Sequence, residues 1–198
     1  MVAPLFCAGL TVFSPLKQAK VGPGSRVGVI GIGGLGHYAV MFASAMGAEV
    51  TAISHSAKKK EDAIKMGAQH FITTSQDKWA KTASRILDLI ICTSFAKDMP
   101  LDKYLSLLDV GGTLVYVGVP ESDLPSLPPP LMIGNNSAPR GSNTGSKREV
   151  IEMLDLVVSK GIQSWVEEIP MSRYSDAVQW QIRGEARYRL VLKSDGSL

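Results

Sequence analysis

The sequence predicts an α/β fold: a doubly wound parallel sheet with helices on both faces. Two features carry that prediction. Short runs that are apolar on both faces alternate with helical patterns, as in a parallel sheet covered on both sides. A glycine-rich turn, GIGGLG at 31–36, stands between one such run and a helix. The length of 198 residues allows one large domain, or one domain with part of a second.

Each element follows in order. Residues 1–20 read as a lead-in helix, with Pro4 where a helix could start and apolar Leu5, Leu10, Val12 and Phe13 after it. Gly22, Pro23 and Gly24 break the chain. RVGVI at 26–30 reads as a buried strand, residues 37–48 as a helix closed by Gly47, and EVTAIS at 49–54 as a second strand. A helix at 58–66 stops at Gly67, HFITT at 70–74 is a short third strand, and 76–84 is read as helical. LDLIICT at 87–93 is a strongly apolar fourth strand. LDKYLSLLDV at 101–110 reads as a helix stopped by Gly111 and Gly112, and TLVYVGV at 113–119 as a fifth strand. Right-handed crossovers turn this series into a doubly wound sheet.

Beyond Pro120 the pattern weakens. ESDLPSLPPP at 121–130 reads as a proline-rich surface loop. LMIGNNSAPRGSN at 131–143 should offer a sixth strand, although Asn135, Asn136 and Pro139 suit a central strand poorly. Residues 146–160 form an amphipathic helix, with Val150, Ile151, Leu154, Val157 and Val158 on one face. WVEEI at 165–169, a helix near 174–183 and YRLVL at 188–192 close the chain. Glu167 and Glu168 are adjacent on a strand and so point to opposite faces, which argues against an acid/base pair. The three tryptophans are spaced as packing residues.

Composition narrows the function classes. Hydrophobic residues at 45% and charged residues at 20% are those of an ordinary globular protein, which excludes disorder and collagen as the main state. A net charge of +3 is too small to point to nucleic acid or a membrane surface. Two cysteines, Cys7 and Cys92, exclude a disulfide scaffold and fit a reducing, cytoplasmic compartment. The apolar first sixteen residues lack the positive start and cleavage site of a signal peptide. No apolar run approaches the roughly 20 residues of a membrane span.

The chemistry concentrates in the glycine loop. It follows a strand, opens a helix and precedes a second strand, the context a dinucleotide-binding turn requires. Gly31 permits the tight turn, Gly33 lets the backbone approach a pyrophosphate, and Gly36 lets helix and strand pack closely. Gly34 and Leu35 complete the loop, and the helix start presents N–H groups and positive dipole to phosphates. A binder of the 2′-hydroxyl form places Asp or Glu at the end of the second strand, roughly 20 residues on. Here that stretch reads SHSAKK at 54–59 and holds no carboxylate. Hydroxyls and lysines suit a 2′-phosphate, so the sequence favours NADP(H) over NAD(H). A serine-capped helix start with solvated lysines is the alternative.

The chain also resembles a known family. APLFCAGLTVFSPL, GIGGLGHYAVMFASAMGAEV, SHSAKKKEDAIKMGA, GGTLVYVGVP, GSNTGSKREVIEML and RYRLVL, in this order, are similar to the second half of zinc-type medium-chain dehydrogenase/reductases, nearest the cinnamyl alcohol dehydrogenase-like, NADP-dependent alcohol dehydrogenases. The resemblance implies a Rossmann domain at 21–160, followed by an extension at 161–198 that belongs in the family to the catalytic domain. It implies that Thr11 lies near the nicotinamide half and that Ser54, His55, Ser56 and Lys59 read the 2′-phosphate, His55 in a pH-dependent way. It places Thr93 and Gly118 beside the ribose and nicotinamide, and Ser142, Asn143 and Thr144 at the carboxamide end.

The resemblance implies further parts. The family's catalytic zinc takes ligands from an N-terminal barrel-like domain, and Cys7 matches a third ligand at the start of this segment. A catalytic zinc needs about three protein ligands, so zinc held by this chain alone is not expected. Cys7 reads as a buried or vestigial cysteine, a ligand completed by another chain, or a reactive thiol. The strands at 165–169 and 188–192 should lack their family partners, and must then repack, pair with another chain or stay mobile. A homodimer through the edge near the fifth and sixth strands is the default.

Three functions stay open. The chain could serve an oxidoreductase acting on a small alcohol or aldehyde if a catalytic domain or partner completes it. It could be a non-catalytic NADP(H)-binding module. It could be a truncated homologue repurposed for non-redox chemistry in the exposed cleft. Fold alone does not separate them.

Overall fold

A computed structural model describes residues 2–96, 98–119, 123, 125–127, 129–194 and 196. A 3-10 turn at Ala3–Phe6 leads into α1 (Ala8–Gln18), and β1 (Arg26–Ile30), α2 (Gly36–Ala45) and β2 (Glu49–Ser54) follow. Then come α3 (Lys60–Lys65), β3 (His70–Thr73), α4 (Trp79–Thr82), β4 (Leu87–Cys92), α5 (Leu101–Leu105) and β5 (Leu108–Tyr116). The chain continues through α6 (Pro129–Asn135), β6 (Ala138–Gly141), α7 (Lys147–Lys160), β7 (Val166–Pro170), α8 (Tyr174–Ile182) and β8 (Arg189–Lys193).

The first six strands form one sheet in the order β3-β2-β1-β4-β5-β6, and every pairing is parallel. The doubly wound α/β fold is therefore what the protein adopts. Both faces are covered. Val27, Val29, Leu89 and Ile91 pack under α1, α2 and Met153 of α7, while Ile30, Ile90 and Cys92 pack against Trp79, Leu101 and Leu105. Alternate residues of one strand enter opposite cores, which is why Leu89 to Cys92 run apolar without a break.

Three elements differ from the sequence expectation. The helix expected at 101–110 ends at Leu105, because Leu107 and Leu108 are fully buried and Leu108 already pairs with Leu87 in the sheet. The pairing then slips to Leu89 with Thr113, and Gly111 at φ +81° turns the extra residues outward as a bulge. This bulge delivers Asp109 to Arg26, whose guanidinium also meets Asp88. The helix expected at 76–84 shrinks to Trp79–Thr82. The sixth strand occupies only Ala138–Gly141, preceded by helix where strand was expected, and Pro139 is tolerated because β6 lies at the sheet edge. The proline-rich loop lies in part outside the described residues.

The tail also has a partner. β7 and β8 pair with each other in parallel, Val166 opposite Arg189, in a separate two-stranded sheet. The expectation of unpaired tail strands is corrected to that extent. No helix among the described residues is long and apolar enough to cross a membrane.

Candidate functional site

The sheet order changes direction at β1, which lies between β2 and β4. Ligands of open α/β sheets bind beyond the carboxyl ends of the strands at such a point. The glycine loop leaves β1 there. Gly31 adopts φ +84°, a conformation that side chains other than glycine resist, and its N–H donates to the Ile53 carbonyl at 2.9 Å. A Cβ on Gly36 would stand 1.8 Å from the Gly31 carbonyl oxygen, so only glycine lets α2 start this close to the strand. The Thr93 hydroxyl braces the turn at 2.9 Å from the Ile30 oxygen and 2.7 Å from that of Gly31.

Around this loop lies a cleft of about 390 Å³, lined by Gly31, Gly33, Gly34, Leu35, Thr93 and Ser94 on the sheet side and by Lys59, Gln181, Tyr188 and Arg189 opposite. Two cations face the loop and the lining holds no carboxylate. Lys59 Nζ donates to the Ile32 carbonyl at 2.7 Å, and Arg189 Nε to the Gly34 carbonyl at 2.9 Å. Burial, with the positive charge of Arg187, lowers the Lys59 ammonium pKa against the opposing pull of Asp62. A space beside Gly33, where no heavy atom lies within 4 Å of a would-be Cβ, leaves the backbone open to a ligand. Backbone donors and a guanidinium around an open glycine turn form a donor set that fits a diphosphate, and the ammonium adds a charge suited to a further phosphate.

Behind the cations lies a tight cluster. The buried Asp62 carboxylate accepts from the Tyr188 hydroxyl at 2.5 Å and from Arg187 Nε at 2.9 Å. Burial alone would raise the Asp62 carboxyl, but Tyr188 and Arg187 together hold it below the usual range. The Tyr188 ring lies 5.3 Å from Lys59 Nζ, 5.3 Å from the His37 ring and edge-on to Trp165. His37, in the first turn of α2, is fully buried, with Nδ1 3.1 Å from the Gly33 carbonyl oxygen.

The structure brings Gly31, Gly33, Gly34, Leu35, Lys59 and Thr93 into one cleft, and Gly36 closes its floor. Ser54, His55 and Ser56 follow at the carboxyl end of β2, outside that lining. Gly118 lies against Phe95, where a Cβ would come within 2.6 Å of the ring. The Ser142 N–H donates to the Tyr116 carbonyl at 2.8 Å, and the Asn143 side chain accepts from the Thr144 N–H at 2.8 Å, so these residues stand beyond β5 and β6. The Thr11 hydroxyl donates to the Cys7 carbonyl within its own helix at 2.8 Å. Cys7 itself is exposed rather than buried, and among the described residues no three His, Cys, Asp or Glu gather as metal ligands. Cys92 is a core residue, and burial pushes its thiol up to about 12. Sequence reasoning did not single out Arg189, Tyr188 or Asp62. The available signal was the pair of arginines flanking Tyr188 in a tail that otherwise reads as plain strand.

Comparison with known proteins places the chain. A family described as "Zinc-binding dehydrogenase" matches residues 34–159. The "Probable formaldehyde dehydrogenase AdhA" of Bacillus subtilis is 41% identical over 192 residues, covering 97% of this chain and 54% of the relative. The "NADP-dependent alcohol dehydrogenase C" of Mycobacterium tuberculosis is 38% identical over 192 residues, covering 97% of this chain and 55% of its own length. Among solved structures, a cinnamyl alcohol dehydrogenase from Sorghum bicolor superposes with a TM-score of 0.90 at 38% identity, over 96% of this chain and 54% of that one. The Helicobacter pylori CAD, solved in complex with NADP(H), superposes with a TM-score of 0.83 at 38% identity, again over 96% and 54%. The chain spans about half the length of the curated relatives it matches. The match over more than half of its residues establishes that the chain belongs to the zinc-binding dehydrogenase family, corresponding to the C-terminal, coenzyme-binding half.

Proposed function

We propose that the chain binds NADP(H), and that it serves alcohol or aldehyde oxidoreduction when a catalytic domain or partner completes it. The observation that carries this reading is the cleft in which an open glycine turn faces Lys59 and Arg189. Gly31, Gly33, Gly34, Leu35 and Gly36 would hold the diphosphate by backbone N–H groups and the start of α2, and Arg189 would close over it from the tail. Ser54, His55, Ser56 and Lys59 would receive the 2′-phosphate, a role supported by the lack of a carboxylate at the end of β2. Thr11, Thr93, Gly118, Ser142, Asn143 and Thr144 would line the path toward the nicotinamide, which supplies hydride exchange when bound. Residues 21–160 would form the nucleotide-binding unit and 161–198 its extension. Two copies would pair at the β6 edge, which has no further strand beside it among the described residues.

The described residues do not make a zinc site by themselves. Cys7 is the one ligand the resemblance supplies, and about three protein ligands are required.

Titration of the purified chain with NADPH and NADH, read by nicotinamide fluorescence, tests the proposal. The wild type should bind NADPH more tightly than NADH. Lys59→Met should weaken NADPH about tenfold, the loss of roughly one charge-assisted contact, and leave NADH nearly unchanged. Absence of NADPH binding with the glycine loop intact would overturn it.

A further inference from the structure

Side chains along a strand alternate between its two faces. Just before β8 they do not. Arg187 and Tyr188 both meet Asp62 of α3, and the next residue, Arg189, meets Gly34 of the glycine loop. The cause is the backbone of Tyr188, which adopts φ +78°. A bulky side chain resists that conformation, and it persists only where surrounding contacts over-determine it.

Those contacts converge on one carboxylate. Asp62 is buried in α3, only three residues beyond Lys59, and takes both the Arg187 guanidinium and the Tyr188 hydroxyl. The Tyr188 ring held in this way stands 5.3 Å from Lys59 Nζ. On the other side of the same turn, the Tyr188 carbonyl and the Arg189 side chain lie so close to Gly34 that a Cβ there would be 2.9 Å from the one and 2.7 Å from the other. The Gly34 position is therefore shaped to receive the tail as much as any ligand. Of the two cations of the cleft, Arg189 takes its place from this turn, which it follows in sequence, whereas Lys59 has its own anchor on the Ile32 carbonyl.

We infer that Asp62 is a positioning residue for dinucleotide binding: it clamps the strained turn at Tyr188 so that Arg189 is set over the glycine loop before the ligand arrives. The inference rests on the NADP(H) reading of the cleft. Asp62 does not itself reach the ligand and acts through Arg187 and Tyr188. A preset cation loses less freedom on binding than one that must be ordered by the ligand.

The test uses the full 198-residue chain with Asp62→Asn and Tyr188→Phe. The phenylalanine variant keeps the ring and removes only the hydroxyl, so it serves if the asparagine variant folds poorly. Both should weaken NADPH and NADH by about tenfold, the equivalent of one ionic contact to phosphate. Adenosine 2′-monophosphate, which has no diphosphate, should bind them far more nearly as it binds the wild type. A merely structural loss would lower all three affinities in step. Hydrogen exchange at residues 187–193 reads the clamp without any cofactor, and should quicken in both variants while the amides of β1 and β4 stay protected. Unchanged NADPH affinity in both variants, equal losses for all three ligands, or unchanged exchange at 187–193 would each overturn the role of Asp62. A wild type that fails to bind NADPH while its Asp62 variants still expose 187–193 would instead overturn the cofactor reading and uphold the clamp.

Discussion

Replacing Gly33 by alanine separates binding from folding at one position. In this structure no heavy atom lies within 4 Å of a Cβ built on Gly33, and its φ is not in the left-handed region. The methyl group therefore meets nothing in the protein, and the stability change should stay within about 0.5 kcal/mol. A phosphate oxygen accepting from the loop's backbone would lie about 2.9 Å from nitrogen, whereas a methyl carbon needs about 3.5 Å of clearance. The diphosphate is pushed back far enough to lose one charge-assisted hydrogen bond. That costs about 1.5–3 kcal/mol, or a tenfold to roughly 150-fold rise in the dissociation constant for NADPH. Gly36→Ala is the contrast, because its Cβ would overlap the Gly31 carbonyl and should damage both stability and binding. Fluorescence titration and a thermal melt of the same samples decide the matter. A Gly33→Ala protein that melts like the wild type and binds NADPH equally well would refute the placement of the diphosphate.

Two further predictions concern stability. Burial pushes His37 down from its ordinary 6.5 to about 4, the charges of Arg189 and Lys59 adding to the shift and the Gly33 carbonyl opposing it. The unfolded chain therefore takes up a proton that the folded chain refuses, so this contribution is present in full above about pH 6.5 and is lost as the pH falls to about 4, up to about 3 kcal/mol. Urea midpoints of the wild type and His37→Phe should diverge across that window, and parallel curves would reject the neutral, buried assignment. At the start of α7, Ser146 and Glu149 form a reciprocal cap, the serine side chain accepting from the Glu149 N–H and the glutamate from the Ser146 N–H at 2.7 Å. Ser146→Ala should cost about 1 kcal/mol, a fall of about 2–4 °C in melting temperature for a chain of this size; an unchanged melt would show that the cap is redundant.

The sheet was legible because its strands are buried on both faces, and LDLIIC or RVGVI carry that in their composition. The beginning of β5 was not. Leu101 to Val110 keep a helical rhythm, and only the pairing of Leu108 with Leu87 and the reach of Asp109 to Arg26 show that the chain has already turned into strand. The glycine loop could be read because its requirements are local: a tight turn and a close helix start. The opposite wall of the cleft could not. Arg189 and Gly34 are 155 positions apart and Asp62 and Tyr188 are 126 apart, so no window of neighbouring residues contains either pair.

The small β7–β8 sheet gives the chain a built-in gauge of occupancy. Two short strands are marginal by themselves, so the tail should open and close more readily than the six-stranded sheet beside it. Because its docked form presents Arg189 to the cleft, any ligand that engages the arginine also draws the tail closed. At a hundredfold excess over its dissociation constant, such a ligand deepens the closed state by about 2.7 kcal/mol, if the open state binds none. Limited proteolysis beyond Gly184 would then slow in proportion to saturation, and the rate of one cut would report how full the site is without any optical signal from the ligand.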